Sequence, residues 1–328
     1  MSLDIGIDIG TAKIYVYKKD EGIVLEEPAV IALDTNTDVV KAVGNEAYKN
    51  IGRYAGNIAT IYIYENDAYL NKNIITELLK YIVGKVIGKI KLIHPRMCIS
   101  VHTFGKDECK NIIKQCAFDV GARDAVVIDS PIAVALGSKL NVKNTVGNII
   151  LDIGQRASDI SVVSHGEVIK YDKFDVTGLS FDEAITEYIR KTYGVIIGKG
   201  YAEYIKFEYA NLNSFADNIL LTVKGRSVDD SLLCELVITS DEIKKEFIKI
   251  VDRMSKKIKE IADDIDEDIK EDILSRGIIL TGADALIPGF EEIIEEKTGI
   301  TTMVPENADK ARVTGTGIVL EYTGGNEL

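Results

Sequence analysis

One short pattern, Asp-Ile-Gly closing an apolar strand, occurs twice in the chain, 144 positions apart, and restricts it to folds that duplicate a strand-turn-strand unit. In the first copy Ile5, Ile7 and Ile9 alternate with Gly6 and Asp8, the chain turns through Gly10-Thr11-Ala12-Lys13, and Ile14-Tyr15-Val16-Tyr17 follows as a second strand. In the second copy Ile149-Ile150-Leu151-Asp152-Ile153-Gly154 leads through Gln155-Arg156-Ala157-Ser158-Asp159 into Ile160-Ser161-Val162-Val163. A lone Asp-Ile-Gly is as well explained by an ordinary turn. Two copies at equivalent strand ends define a repeated structural unit.

Around these copies the pattern alternates between periods. Strands are expected over 28–43, 94–101 and 126–129, and helices over 74–88 and 106–120. Pro131 opens a further helix, where its missing N–H costs nothing. Asn141 to Gly147 reads as a linker. Beyond the second copy, Ser180 is expected to cap a helix over 180–193, with Glu183 at the reciprocal position. A helix over 199–209, strands over 219–223 and 233–238, and a helix over 240–250 make a smaller module. The acidic run 263–272 reads as a solvated surface. Gly277 to Gly282 is a third strand entering a glycine turn, and a helix over 290–297 stops at Gly299. Alternation of this kind predicts an α/β fold with helix-covered sheets, and 328 residues suffice for two lobes.

A formal charge of -13 opposes nucleic acid and anionic lipid as general partners. Four scattered cysteines and three histidines give no metal or redox spacing, so the thiols read as reduced and structural. No basic-then-apolar leader is expected at the N-terminus, and no uncharged apolar run reaches membrane-spanning length.

Glycine turns at strand ends let backbone N–H groups approach phosphate oxygens, which is the chemistry Gly10 and Gly154 offer. Thr11 adds a hydroxyl and Lys13 a charge. Asp8 and Asp152 are suited to the hydration shell of Mg²⁺ rather than to phosphate, which would repel them. The turn Thr281-Gly282-Ala283-Asp284 either borders a nucleotide or is structural. Asp129-Ser130-Pro131 either positions a water or caps a helix. Glu203 and Lys206 are spaced to share a helix face, open to the same two readings of ligand and solvated surface.

Taken together, the paired turns, Asp129-Ser130-Pro131 and Thr281-Gly282 resemble the actin/Hsp70/sugar-kinase superfamily of ATPases, and more narrowly the MreB family of bacterial cell-shape proteins. The narrower resemblance is carried by Gly22 to Ala32, Gly121-Ala122-Arg123, Asp182 to Ile185, Tyr188 to Lys191 and Gly289-Phe290 with Glu292, and runs nearly end to end. It implies an actin-like fold of two duplicated ribonuclease-H-like lobes, each with a small subdomain, around a nucleotide cleft. The implied division is 1–31 with 70–143 and 32–69, then 144–178 with 239–328 and 179–238, each pair a large and a small subdomain.

By the same resemblance, ATP or ADP with Mg²⁺ is the cofactor and Asp8 and Asp152 are the metal-linked carboxylates. Gly10, Thr11, Ala12 and Lys13 form the first phosphate loop, and Gly154, Gln155 and Arg156 the second, with Gly178 beside them. Glu203 and Lys206 would line the adenosine, and Gly282, Ala283 and Asp284 would close the pocket. The family pattern also implies paired protofilaments of identical subunits, paralogous filament partners, and work at the inner face of the cell membrane.

Departures bear on the chemistry. Asp129 and Ser130 stand where the family has two glutamates, and a serine orients water less well than a carboxylate, so hydrolysis is expected to be slow unless Asp129 acts from a displaced position. Two glycines are missing from the second loop, where Arg156 either compensates by binding phosphate or points to solvent. Leu92 and Ile93, flanked by Lys89, Lys91, His94 and Arg96, occupy the place of an apolar membrane loop, or else enter the strand core. Two other readings stand beside the filament protein: a non-hydrolysing scaffold that co-assembles with relatives, and a small-molecule kinase, for which the region 30–75 offers no obvious acceptor site.

Overall fold

The two sequence copies seed two α/β units in the computed structural model, which describes residues 3–54, 56–88, 94–102, 107–140 and 147–322. One unit comprises 1–145, 163–171 and 310–328; the other comprises 146–162 and 172–309.

In the first unit the strands are β1 (Ile5–Ile9), β2 (Lys13–Lys18), β3 (Gly22–Pro28), β4 (Val30–Asp34), β5 (Val39–Val43), β6 (Ile58–Tyr62), β7 (Arg96–Val101) and β8 (Asp124–Asp129). Its helices before residue 140 are α1 (Asn45–Lys49), α2 (Lys72–Val86), α3 (Asp107–Asp119) and α4 (Ser130–Gly137), and residues 141–146 of the expected linker lie outside the described residues. The main sheet has the order β3-β2-β1-β7-β8, and a small sheet has the order β5-β4-β6. β1 is antiparallel to β2 but parallel to β7, and β7 is parallel to β8. Every residue of β1 and β7 is buried, as expected of central strands covered on both faces. Asn71 caps α2 by accepting hydrogen bonds from the Asn73 and Ile74 N–H groups, and α2 then buries Ile74, Ile75, Leu78, Leu79 and Ile82.

The second unit repeats that plan. The chain from 147 to 309 forms β9 (Asn148–Ile153), β10 (Ser158–Ser164), β11 (Glu167–Phe174), α5 (Gly178–Tyr193), β12 (Val195–Ile196), α6 (Lys199–Tyr209), β13 (Leu220–Ser227), β14 (Leu233–Thr239), α7 (Ser240–Asp263), α8 (Glu267–Arg276), β15 (Ile278–Thr281), α9 (Phe290–Thr298) and β16 (Thr302–Met303), of which residues 163–171, the end of β10 and most of β11, are grouped with the first unit. The main sheet of this stretch has the order β11-β10-β9-β15-β16, so β9 holds the place that β1 holds in the first unit. The core gathers around Phe181, whose ring meets Phe247 and Phe290 edge-on at 4.8 and 5.8 Å.

Several expectations change here. α5 starts at Gly178, not Ser180. Thr177 is the N-cap, and Ser180 is its reciprocal partner, donating nothing to Glu183 but accepting from the Thr177 N–H. α7 runs to Asp263, well past Ile250, because Thr239 and Glu242 form a capping box and Ile250, Val251, Met254, Ile258 and Ile261 continue one buried stripe. The final helix, α10 (Ala311–Tyr322), falls in 239–328, which the family resemblance implies belongs to the second large subdomain. It lies instead in the first unit. A Cβ on Gly6 would meet Thr316, one on Gly137 the Ala311 carbonyl, one on Gly315 the Ala133 carbonyl, and one on Gly317 the Tyr17 ring. Glycines on both sides thus let α10 approach α4 and the β1–β2 hairpin at backbone distance.

Arg96 also departs from its expected place in a basic surface patch. It is buried, paired with Asp4 at 3.3 Å and hydrogen-bonded to the Leu320 carbonyl. The flanking Lys89, Lys91, Leu92 and Ile93 lie outside the described residues. Among the described residues no helix is long and apolar enough to cross a membrane.

Candidate functional site

Both Asp-Ile-Gly segments sit at the C-terminal ends of central strands, the edge where open α/β sheets gather ligand-binding groups. In the first unit three neighbouring strand ends converge. Asp8 on β1 is in register with Ser100 on β7, and Val101 on β7 with Asp129 on β8. Asp8 is only 1% exposed. The turn that follows is closed by the Gly10 N–H donating to the Lys13 carbonyl at 2.9 Å, and a Cβ at Gly10 would come within 2.6 Å of that oxygen. Thr11 is buried, Ala12 half-buried and Lys13 exposed. Lys13 directs its ammonium to Glu26, 2.5 Å away on β3, so the loop's own cation is engaged in a surface ion pair.

Asp129 occupies the N-cap position of α4, yet its side chain makes no cap hydrogen bond. Its carboxylate pairs with Lys110 of α3 at 2.6 Å. Ser130 begins the helix, is buried, and its hydroxyl has no hydrogen-bond partner among the described residues. The capping reading of either side chain therefore fails, while the Lys110 contact ties down the carboxylate that water activation would need.

A residue absent from the sequence-based set completes this edge. Arg312, in the first turn of α10, places Nε 3.4 Å from Asp8 Oδ2 and Nη1 2.8 Å from His102 Nε2. His102, just beyond β7, is buried; its N–H donates to the Tyr64 hydroxyl at 3.4 Å, and its ring meets Tyr64 edge-on at 4.9 Å. Burial pushes the Tyr64 phenol well above its ordinary value, so it stays protonated. The sequence signal that could have found Arg312 is the small-residue run Gly315-Thr316-Gly317 just after it, which marks a helix meeting another backbone closely.

The second unit builds its turn differently. Asp152 is 2% exposed and in register with Thr281 of β15. The Gly154 and Gln155 carbonyls accept hydrogen bonds from the Gly178 and Leu179 N–H groups, both at 3.0 Å, which fastens the loop to the start of α5. A side chain on Gly178 would strike Gln155 and Asp284. Gly282 adopts φ 96°, and a Cβ there would collide with the Ile153 carbonyl, so the third turn needs glycine on both counts.

Lys206 lies behind this turn. Its side chain has no exposed surface, and its ammonium pairs with Asp284 at 2.7 Å and Asp182 at 2.9 Å while donating to the Gly178 carbonyl at 3.1 Å and Gln155 Oε1 at 3.4 Å. Gln155 in turn donates through Nε2 to Asp182 at 2.7 Å. Lys206 and Asp284 thus bind one another in the interior of this turn, together with Asp182 and Gln155. Burial raises the Asp284 carboxyl above its ordinary value, against the opposing pull of Lys206. Glu203 and Arg156 are half-buried, and Ala283 is exposed.

The MreB/Mbl protein family profile matches residues 2–327. The cell shape-determining protein Mbl of Bacillus subtilis (strain 168) is 31% identical over 97% of this chain and 96% of its own length. Among solved structures, MreB5 of Spiroplasma citri bound to ADP superposes with a TM-score of 0.85 at 24% identity, covering 97% of this chain and 95% of its own. A MamK double helical filament gives a TM-score of 0.74 at 16% identity, covering 98% and 99%. These likenesses show the actin/Hsp70-like ATPase fold of two α/β lobes.

Proposed function

Since the chain belongs to the MreB/Mbl protein family, we propose that it is an ATP-binding, actin-like cytoskeletal protein that polymerises into filaments and hydrolyses its nucleotide slowly. The observation that carries this reading is the repetition, at the same place in two sheets of like order, of a buried aspartate followed by a glycine turn. An ADP complex of MreB5 and a filament of MamK support nucleotide binding and self-assembly in proteins of this fold. The four-part division into large and small subdomains is proposed with it, amended so that 311–322 joins the first large subdomain.

The donor set fits a hydrated Mg²⁺. Asp8 and Asp152 are hard oxygen ligands, each at the corresponding strand end of its own unit and each suited to such an ion through its water shell. When bound, the metal supplies countercharge for the phosphates. Gly10 and Thr11 offer the first loop an uncluttered backbone and a hydroxyl; Gly154, Gln155 and Arg156 offer the second. Lys206 and Asp284 set the second loop's shape without touching ligand. Slow hydrolysis is supported by Asp129, held by Lys110, and by Ser130, which carries no charge to orient water. The same two residues favour, as a second reading, a non-hydrolysing scaffold that co-assembles with paralogous filaments. Attachment to an anionic inner membrane surface through Leu92 and Ile93 completes the proposal.

Assembly on anionic vesicles with Mg²⁺ and either ATP or ADP, with phosphate release measured in the same sample, tests it. Nucleotide-dependent filaments with slow release are expected. Absence of filaments across a range of concentrations, with and without vesicles, overturns the reading; filaments with no release at all select the scaffold. Ser130→Glu should raise release severalfold if the missing carboxylate limits turnover.

A further inference from the structure

Arg312 stands over the first glycine turn. Its guanidinium spans from Asp8 to His102, and Nη2 would lie 3.3 Å from a Cβ on Gly10. The position is built rather than incidental. His102 is buried, with Nε2 2.8 Å from Arg312 Nη1, and Tyr64 packs edge-on against its ring. The Arg312 side chain nonetheless keeps 14% of its surface exposed, so it is not sealed into the core.

Its place in the helix is electrostatically unusual. The first turn of a helix already carries positive potential from aligned peptide dipoles, and acidic rather than basic side chains are favoured there. α10 puts a cation in that turn, so a nearby anion is needed to offset the repulsion. Asp8 supplies one charge. Among the described residues at this edge, Lys13 and Lys110 are engaged by Glu26 and Asp129. Arg312, though paired with Asp8, brings its guanidinium within 3.3 Å of where a Cβ on Gly10 would lie, at the turn that the proposed function assigns to phosphate.

We propose that Arg312 is a nucleotide-binding residue whose guanidinium shares with Mg²⁺ the countercharge for the terminal phosphates of a nucleoside di- or triphosphate, so that nucleotide binding depends only weakly on the metal. The inference rests on reading the Asp8 turn as a phosphate loop. Arg312 and a hydrated Mg²⁺ also draw on the same carboxylate, so each weakens the other's hold on Asp8. Removing the guanidinium should thus do two opposite things: weaken nucleotide binding when metal is absent, and strengthen the response to metal when it is added.

The test is the affinity for a fluorescent ADP analogue in excess Mg²⁺ and in EDTA, for the wild-type chain, Arg312→Gln and Arg312→Lys. Chelation should weaken wild-type binding by less than about tenfold, and Arg312→Gln binding by at least about tenfold more than that. Arg312→Lys, which keeps a charge but loses the fork, should fall between. If Arg312→Gln melts below the assay temperature, His102→Gln takes its place; it leaves the Asp8 pair intact and should enlarge the chelation penalty by about threefold. Equal penalties in the wild type and the folded variant, or tighter ADP binding by Arg312→Gln in EDTA, overturn the assignment of Arg312 alone. A wild-type chain that binds no ADP in either buffer overturns the phosphate-loop reading and the assignment with it.

Discussion

The turn after Asp8 and the turn after Asp152 share a backbone plan and differ in where their charges are anchored. At the first, the stabilising cation comes from far along the chain: Arg312 reaches Asp8 from α10, whereas the loop's own Lys13 turns out to Glu26. At the second, a wholly buried lysine from α6 binds two carboxylates and the loop glutamine from beneath. The first turn is braced by a partly exposed arginine, the second by a lysine with no exposed surface. Duplication conserved a shape while its electrostatic support was rebuilt twice, and the two halves should fail in different ways when that support is removed.

The largest effect should come from Lys206→Met. It leaves Asp182 and Asp284 buried without their cation and should destabilise the second unit by about 3–5 kcal/mol, read in urea unfolding. A loss below about 1 kcal/mol would erase the contrast between the turns, since that is the range of surface pairs. Gly282→Ala should cost of order 1–3 kcal/mol, because the residue would hold φ 96° with its methyl against the Ile153 carbonyl. A normal melting temperature for that variant would mean the third turn can shift.

A subtler consequence is pH dependence. A carboxyl whose folded-state pKa is raised binds its proton more tightly in the folded chain, so Asp284 contributes stability that is complete below the ordinary value of 3.8 and is lost as pH rises through the folded pKa. Asp284→Asn should flatten the decline in stability over that window; an unchanged profile would place the proton elsewhere in the cluster. Smallest of all, Lys13→Ala should change stability by no more than about 0.5 kcal/mol, because its partner Glu26 is exposed and solvent screens the pair.

The strand ends were legible in the chain because a period of two, broken by Asp-Ile-Gly, leaves little freedom in where a strand stops. Phe290 to Gly299 was legible for a similar reason, with glycine at φ 75° marking its end. The direction in which side chains point at those ends was not. Lys206 carries a charge on an amphipathic helix and reads as a surface or ligand residue until the fold supplies Asp182 from α5 and Asp284 from the turn after β15, 24 and 78 positions away. The start of α5 was misplaced because Thr177 and Ser180 can each cap, and only the direction of the hydrogen bond distinguishes them. α10 escaped notice because Gly315 and Gly317 in its interior lower helix propensity, while the backbone contacts that make those glycines useful are made to residues about 180 and 300 positions earlier.

That last contact also sets an order of events during synthesis. β1 and β2 leave the ribosome first, yet their packing partner α10 is translated after the whole of the second unit. Until residues 311–322 are made, Gly6, Gly137 and Tyr17 lack the helix they pack against in the folded chain. Because Arg312 comes with that helix, a chain that stops short of residue 311 would lack the guanidinium beside Asp8 as well as the packing of α10.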